Sequence, residues 1–404
     1  MKKIVLFYAK FGGGHLSAAN SLKQYLEANY SNEYEVEIID FFAYINKALN
    51  KISTDFYTYV TKHSPWLWSR MYKNSNSGLL SKVSKRSFQV LSNRMLKLLK
   101  EKEPDIVISC HPFSSQMCSY LKKKQKYDFA LATVMTDFEA HDQWIIGHEY
   151  TDFIFVANNN MKKVLTRKGI NPDKVYVTGI PLSNRFLEHF DREEIKKSFD
   201  LDTNINKKTI LFFAGGEFGL AKNNILDILK ALIDYREGIQ IVVIAGKNEK
   251  LKEKFERLVD ETASSHFVKV MGFTDKVPEL MAISDLVITK PGGLTTTESL
   301  ASGLPIVVIN PIPGQEEANA KFLKESECAI RINKNDDVER KIKNLLSDPD
   351  KLRDMKIKTK LIAKKNSTEE ICKTILNNYQ SRKISNKNNE EEFHFKIYDE
   401  ENEE

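Results

Sequence analysis

Cysteine is scarce in this 404-residue chain. The four that occur, Cys110, Cys118, Cys328 and Cys372, are scattered, with no Cys-x-x-Cys pair. That spacing argues against a zinc site and against a disulfide framework. Long apolar runs are missing too, and none approaches the ~20 residues of a membrane-spanning helix. The first apolar run, Ile4 to Tyr8, is too short for a signal-peptide core and reads as a strand. No internal repeat is visible. Acidic triplets that could grip a metal are few: Asp200-Leu201-Asp202 and Asp348-Pro349-Asp350 lie in polar segments between helices and read as turns or caps. No metal and no other cofactor is expected.

What is present is the composition of a soluble globular protein, 41% hydrophobic and 29% charged, long enough for two domains with sizeable cores. The formal charge of +6 is unevenly placed. Phe41 to Pro104 carries twelve Lys or Arg against three Asp or Glu, and the last fifteen residues are mostly acidic. An insertion from Phe41 to about Asn93 mixes these bases with aromatics, among them Trp66, Trp68, Arg70 and Lys73. Aromatic bodies with polar tips suit a lipid headgroup boundary, where each basic residue near an anionic surface gains about 1 kcal/mol. Part of the insertion is therefore expected to be helical and membrane-facing. A helical subdomain with core aromatics and solvated lysines is the competing reading. No nucleic-acid-binding signature accompanies the bases.

Residues 285–319 organise the rest. Leu286 to Thr289 is a short apolar run suited to a buried parallel strand. Pro291-Gly292-Gly293 breaks it, and a helix is expected to open near Thr295, with Glu298 in its first turn. Gly303 ends the helix, and Pro305 starts a strand from Ile306 to Ile309, followed by Pro313-Gly314-Gln315-Glu316. Glycines let a backbone approach a ligand, and a helix N-terminus presents free N–H groups that suit a phosphate. An early carboxylate can hold ribose hydroxyls at a strand's carboxyl end. The same strand–glycine–helix order occurs at Gly12-Gly13-Gly14-His15 and at Gly215-Gly216. The first of these turns is not Gly-x-Gly-x-x-Gly. His15, at a helix start, is either a neutral imidazole able to accept a proton or a simple capping residue. Asp137 closes an apolar strand from Phe129 to Thr136, where a carboxylate can act as a base, orient one, or cap a turn.

Lys290-Pro291-Gly292-Gly293, Thr295, Glu298, Gly303, Pro305, Pro313-Gly314-Gln315-Glu316 and Asn319 resemble the donor-nucleotide segment of the family 28 glycosyltransferases, and most closely the diacylglycerol glucosyltransferases. Val134-Met135-Thr136-Asp137-Phe138, with His141 and Trp144, and the Gly179-Ile180-Pro181-Leu182 turn are similar to the same enzymes. The resemblance covers roughly residues 3–380. It implies an α/β chain with the GT-B fold, two doubly wound Rossmann-like domains around a cleft. Residues 1–185 would form an acceptor-binding, membrane-associating domain, 186–208 a linker, and 209–366 a UDP-sugar-binding domain. Residues 367–381 would cross back as a helix. Residues 382–404 lie outside the resemblance; short of core residues and highly charged, they read as a disordered acidic tail. In the roles the resemblance implies, His15 and Asp137 handle the proton. Gly215, Gly216, Phe273, Thr274, Gly292, Gly293, Thr295, Glu298, Gln315 and Glu316 bind the donor. Gly13, Gly14, His111, His141 and Trp144 face the acceptor.

The expected activity is inverting transfer of glucose from UDP-glucose to diacylglycerol, or to a diacylglycerol already glycosylated. The enzyme would be cytoplasmic and peripheral on the inner face of the cell membrane. UDP-galactose as donor, or N-acetylglucosamine transfer to a polyprenyl-linked acceptor, are the other enzymatic readings. A non-catalytic nucleotide-sugar sensor is the reading of another class.

Overall fold

The structure is a computed structural model that describes residues 1–10, 13–45, 85–214, 225–333 and 335–379, with backbone alone for 85–89. The expectations placed on Gly12, on Trp66, Trp68, Arg70 and Lys73, on Gly215 and Gly216, and on the acidic tail lie outside the described residues.

Two six-stranded parallel sheets carry the chain. The first holds β1 (Lys2–Tyr8), β2 (Tyr34–Asp40), β3 (Ile106–Ser109), β4 (Ala130–Val134), β5 (Phe153–Val156) and β6 (Val175–Val177) in the order β2-β1-β3-β4-β5-β6. The second holds β7 (Lys208–Phe213), β8 (Ile239–Ile244), β9 (Val268–Met271), β10 (Leu286–Thr289), β11 (Ile306–Ile309) and β12 (Ala329–Ile332) in the order β12-β11-β10-β7-β8-β9. Most central strands are buried throughout, as expected where helices cover both faces. The strand order reverses between β1 and β3, and again between β7 and β10. Such switch points leave crevices at the carboxyl ends of strands, where α/β proteins bind ligands.

The core divides by sheet face, but one cluster runs through both sheets. It joins Met135, Phe138, Trp144 and Val156 to Leu211, Val287, Leu300 and Val308. Phe138 stacks on Phe322 at 4.8 Å between ring centres. Such a pair is worth about 1 kcal/mol beyond its buried area. The cleft is therefore shut by apolar packing at its base.

Two segments differ from the sequence reading. Residues 186–208 are not a plain linker. Asp191 caps the helix Arg192–Ser198 by accepting from the N–H groups of Glu193 and Glu194. Arg192 fastens that helix to the second domain through the carbonyls of Ala282 and Ile283 and the Asp285 carboxylate. Ile195, Phe199 and Leu201 face the shared core. The helix Gly293–Ala301 also opens earlier than expected, because Gly292 takes an extended conformation and caps it with no side-chain bond. Glu298 consequently sits in the second turn, not the first.

The last helical segment, residues 367–379, returns to the first domain. Ile371, Cys372, Ile375, Leu376 and Tyr379 pack in the same cluster as Ile4, Leu6 and Phe155. The Thr368 hydroxyl accepts from the Leu182 N–H at 2.8 Å and donates to its carbonyl at 2.7 Å, and Ser367 donates to the Ile180 carbonyl. Gly179 makes room for this docking. It has φ +93°, and a β-carbon there would strike Lys364.

Candidate active site

The two domains meet across the carboxyl ends of β4 and β10. Gly293 is in close contact with the Thr136 carbonyl, which an added β-carbon would overlap. A β-carbon on Gly14 would lie 3.9 Å from that of Leu294, so the starts of the helices Gly14–Tyr30 and Gly293–Ala301 face each other. Asn319, 1% exposed, ties the contact together. Its amide oxygen accepts from the Phe138 N–H at 3.0 Å, and its nitrogen donates to the Pro291 carbonyl at 2.9 Å. The sequence reading quoted Asn319 within a motif but gave it no task. Its buried amide satisfies backbone groups of both domains at once.

At the centre lies Asp137. Its Oδ2 receives Gln315 Nε2 from the other domain at 3.1 Å and Trp144 Nε1 at 3.4 Å, and His141 Nε2 stands 3.6 Å away. Oδ1 takes none of these bonds. Burial alone would push this carboxyl up. The bond and charge of His141, then His15 and the Trp144 donor, outweigh burial and hold it below the usual carboxylate range. Trp144 is 2% exposed, so its ring lies behind the carboxylate rather than on an open wall.

His15 occupies the first turn of its helix. Its Nδ1 lies 2.7 Å from the Cys110 carbonyl and 3.0 Å from the Thr136 hydroxyl. A carbonyl only accepts, so Nδ1 carries the hydrogen and Nε2 keeps a lone pair. Burial pushes the imidazole below its ordinary value, and the Asp137 charge and the Cys110 carbonyl pull it only part of the way back. His15 is thus a neutral base beside an ionised carboxylate. His111, its edge-to-face neighbour at 4.9 Å, is different. It is 5% exposed, caps the helix Pro112–Lys123 through the Phe113 N–H, and is held neutral by burial.

In the second domain, Glu298 is half-buried and burial pushes its carboxyl up to about 8. Glu316 accepts from the Ile312 N–H at 2.7 Å; burial raises it, and Lys290 opposes the rise. The Thr296 hydroxyl is buried with no hydrogen-bond partner among the described residues, while Thr295 is half-buried beside it. Phe273 is 69% exposed, with the Lys247 ammonium 5.2 Å from its ring centre, and the Thr274 hydroxyl accepts from the Lys276 N–H. These two follow β9, three strands from β10, so they stand apart from the Asp137 cluster. A cavity of about 1,120 Å³ runs beside the cluster rather than through it, touching His141 and Gly314 before passing Glu317, Lys324 and Arg331.

The acidic triplets are engaged elsewhere. Asp348 caps the helix Pro349–Ile362, and Asp202 accepts from the Asn204 N–H and pairs with Lys207. Among the described residues, no group of His, Cys, Asp and Glu could hold a metal ion, and no helix is long and apolar enough to cross a membrane.

Two six-stranded parallel sheets with their facing switch points define a GT-B architecture. The fold is shared with MurG of Acinetobacter baumannii at a TM-score of 0.60, with 15% identity, over 93% of this chain and all of that one. Two family profiles divide the chain between them: monogalactosyldiacylglycerol (MGDG) synthase over residues 15–182, and glycosyl transferases group 1 over residues 193–361. The processive diacylglycerol beta-glucosyltransferase of Bacillus licheniformis is 31% identical over 390 residues, covering 96% of this chain and 97% of its own length. The enzyme of that description from Bacillus pumilus is 33% identical over 389 residues, with 95% and 97% covered. The chain belongs to the processive diacylglycerol beta-glucosyltransferase family.

Proposed function

We propose that this protein transfers glucose from UDP-glucose to the free hydroxyl of diacylglycerol, with inversion at the anomeric carbon, and extends its own product. One observation carries the mechanism: Gln315, from the donor domain, hydrogen-bonds Asp137 of the acceptor domain beside a neutral His15. A sugar held by Gln315 and Glu316 would be presented to the base from the opposite wall.

The chemistry then follows. The acceptor oxygen attacks the anomeric carbon as the bond from that carbon to the diphosphate breaks. His15 Nε2 takes the hydroxyl proton, and Asp137 steadies the imidazolium so formed. Asp137 Oδ2 is anchored by Gln315, Trp144 and His141, which fix the carboxylate in place. The electron pair leaves with the diphosphate. The N–H groups at the start of the helix Gly293–Ala301 offer it hydrogen bonds and the positive end of a dipole. Glu298 holds the ribose, and Phe273 offers a ring to the uracil. No step needs a metal; full activity in EDTA is expected, and loss restored by a divalent cation would refute this. The acceptor reaches the site from an anionic membrane surface on which the protein sits peripherally, at the inner face of the cell membrane.

A galactosyl donor is the second reading, favoured by the match of residues 15–182 to the MGDG synthase profile. Each radiolabelled UDP-sugar is incubated with diacylglycerol vesicles, and the extracted lipids are weighed by mass spectrometry. Label from UDP-glucose in mono- and diglycosylated lipid is expected. Label from UDP-galactose alone overturns the glucosyl reading. Nucleotide binding with no labelled lipid from either sugar overturns the activity.

A further inference from the structure

Lys290 is the only Lys or Arg between Asp285 and Asn319, a stretch that carries four acidic residues. It directly follows β10, the strand that flanks the switch point of the second sheet. β10 pairs with β7, Ile288 beside Phe212, and with β11, Thr289 beside Val308. Carried two residues further, the first register sets Lys290 beside Ala214, just past the carboxyl end of β7. The next residues on its own chain are the turn that opens the helix Gly293–Ala301. The lysine thus stands just past the carboxyl ends of the two strands that flank the switch point, where α/β sheets bind ligands.

Its ammonium is poorly compensated there. Lys290 is half-buried, and burial lowers its pKa, with Glu316 alone pulling back. Yet no ion pair within 4 Å joins the two, and among the described residues the ammonium takes part in no ion pair or side-chain hydrogen bond. Glu316 is not free to swing across, because the Ile312 N–H holds its carboxylate at 2.7 Å. Lys290 and Glu316 are the two ends of an ion pair held open. A partly desolvated cation without a partner is unfavourable, and a fold that needed only bulk here would have used Met or Leu. Such uncompensated charge is characteristic of sites that await a charged ligand.

We propose that Lys290 is a catalytic residue whose ammonium binds the diphosphate of the nucleotide sugar, filling the gap between itself and the sugar-holding Glu316. Backbone N–H groups supply direction to that anion; Lys290 supplies the full positive charge. Negative charge on the diphosphate grows as the bond to the sugar breaks, so the ammonium acts more strongly on the transition state than on the bound donor. This inference rests on the UDP-sugar reading above.

The test is calorimetric binding of UDP, UMP and uridine to the full chain and to its Lys290→Met and Lys290→Arg variants, with donor kinetics alongside. Lys290→Met should weaken UDP by roughly 10- to 100-fold, weaken UMP less and leave uridine unchanged, since a charged hydrogen bond is lost only where a phosphate is present. The kcat should fall further than KM rises, and Lys290→Arg should restore part of both. Equal weakening of UDP and uridine would assign Lys290 to pocket structure and overturn the proposal. Unchanged UDP affinity in Lys290→Met, with wild type binding UDP, overturns this inference alone. Wild type that binds none of the three nucleotides overturns the donor reading and the inference together.

Discussion

The ribose role proposed for Glu298 predicts that UDP binding depends on pH. The Glu298 carboxyl, with an ordinary value of 4.5, is pushed up to about 8 by burial. At pH 7 about a tenth of the molecules therefore carry it ionised. If ribose hydroxyls bind the carboxylate, the nucleotide must pull a proton off the rest. The affinity should then climb roughly tenfold between pH 7 and pH 9, about 1.4 kcal/mol, and level off above the raised pKa. The sign for folding runs the other way. The folded chain holds this proton more tightly than the unfolded one, so the group favours folding below pH 4.5 and costs stability as pH rises from there toward 8. Glu298→Gln keeps the shape without the titration. It should raise the melting temperature of the ligand-free protein at pH 8 while weakening UDP and abolishing the climb in affinity. Calorimetry with uridine, repeated in buffers of different ionisation enthalpy, counts the released proton without interference from phosphate ionisation. A uridine affinity flat from pH 7 to pH 9, or a climb that survives in Glu298→Gln, would refute the reasoning.

Three further outcomes are expected. Asp137→Asn should lower kcat by roughly 10²- to 10⁴-fold with UDP affinity nearly intact, because the imidazolium loses its countercharge; an unchanged kcat would move the proton chemistry elsewhere. Gly293→Ala must push its helix off the Thr136 carbonyl, so donor KM and kcat should both deteriorate and small-angle scattering should report a more open particle; wild-type kinetics would show that this closed contact is dispensable. Thr368→Val removes both hydrogen bonds to Leu182 and leaves buried backbone groups unpaired, which should cost about 2 kcal/mol in chemical denaturation, and a loss below ~0.5 would deny the crossing segment that role.

Strands were the most legible part of the chain. Leu286–Thr289 and Ile306–Ile309 fall where the apolar runs and their breakers put them. Buried parallel strands leave that mark because both faces must be apolar. Helix starts were less legible where a glycine does the capping, since backbone geometry rather than a side chain sets the boundary; Gly292 shifted Glu298 by a turn. The helix after Asp191 was hidden by its charge, although its cap, its two first-turn glutamates and Ile195 and Phe199 at helical spacing were there to read. The candidate site residues were legible only as separate motifs. That Gln315 would meet Asp137, 178 positions earlier, follows only from how two sheets dock, which no local pattern encodes. The same holds for Asn319, whose two bonds reach opposite domains, and for the gap between Lys290 and Glu316.

The returning helix has a consequence for how the molecule is made. Ile371, Cys372, Ile375 and Leu376 complete a core that Ile4 and Leu6 begin, and the Tyr379 hydroxyl bonds the Asp105 carboxylate at 2.8 Å. During synthesis, the leading half emerges from the ribosome with that trough uncovered and must wait for the whole trailing half before it is sealed. A nascent chain stopped short of residue 367 would carry an oily furrow on its first domain, a natural target for holdase chaperones and a cause of clumping in truncated products.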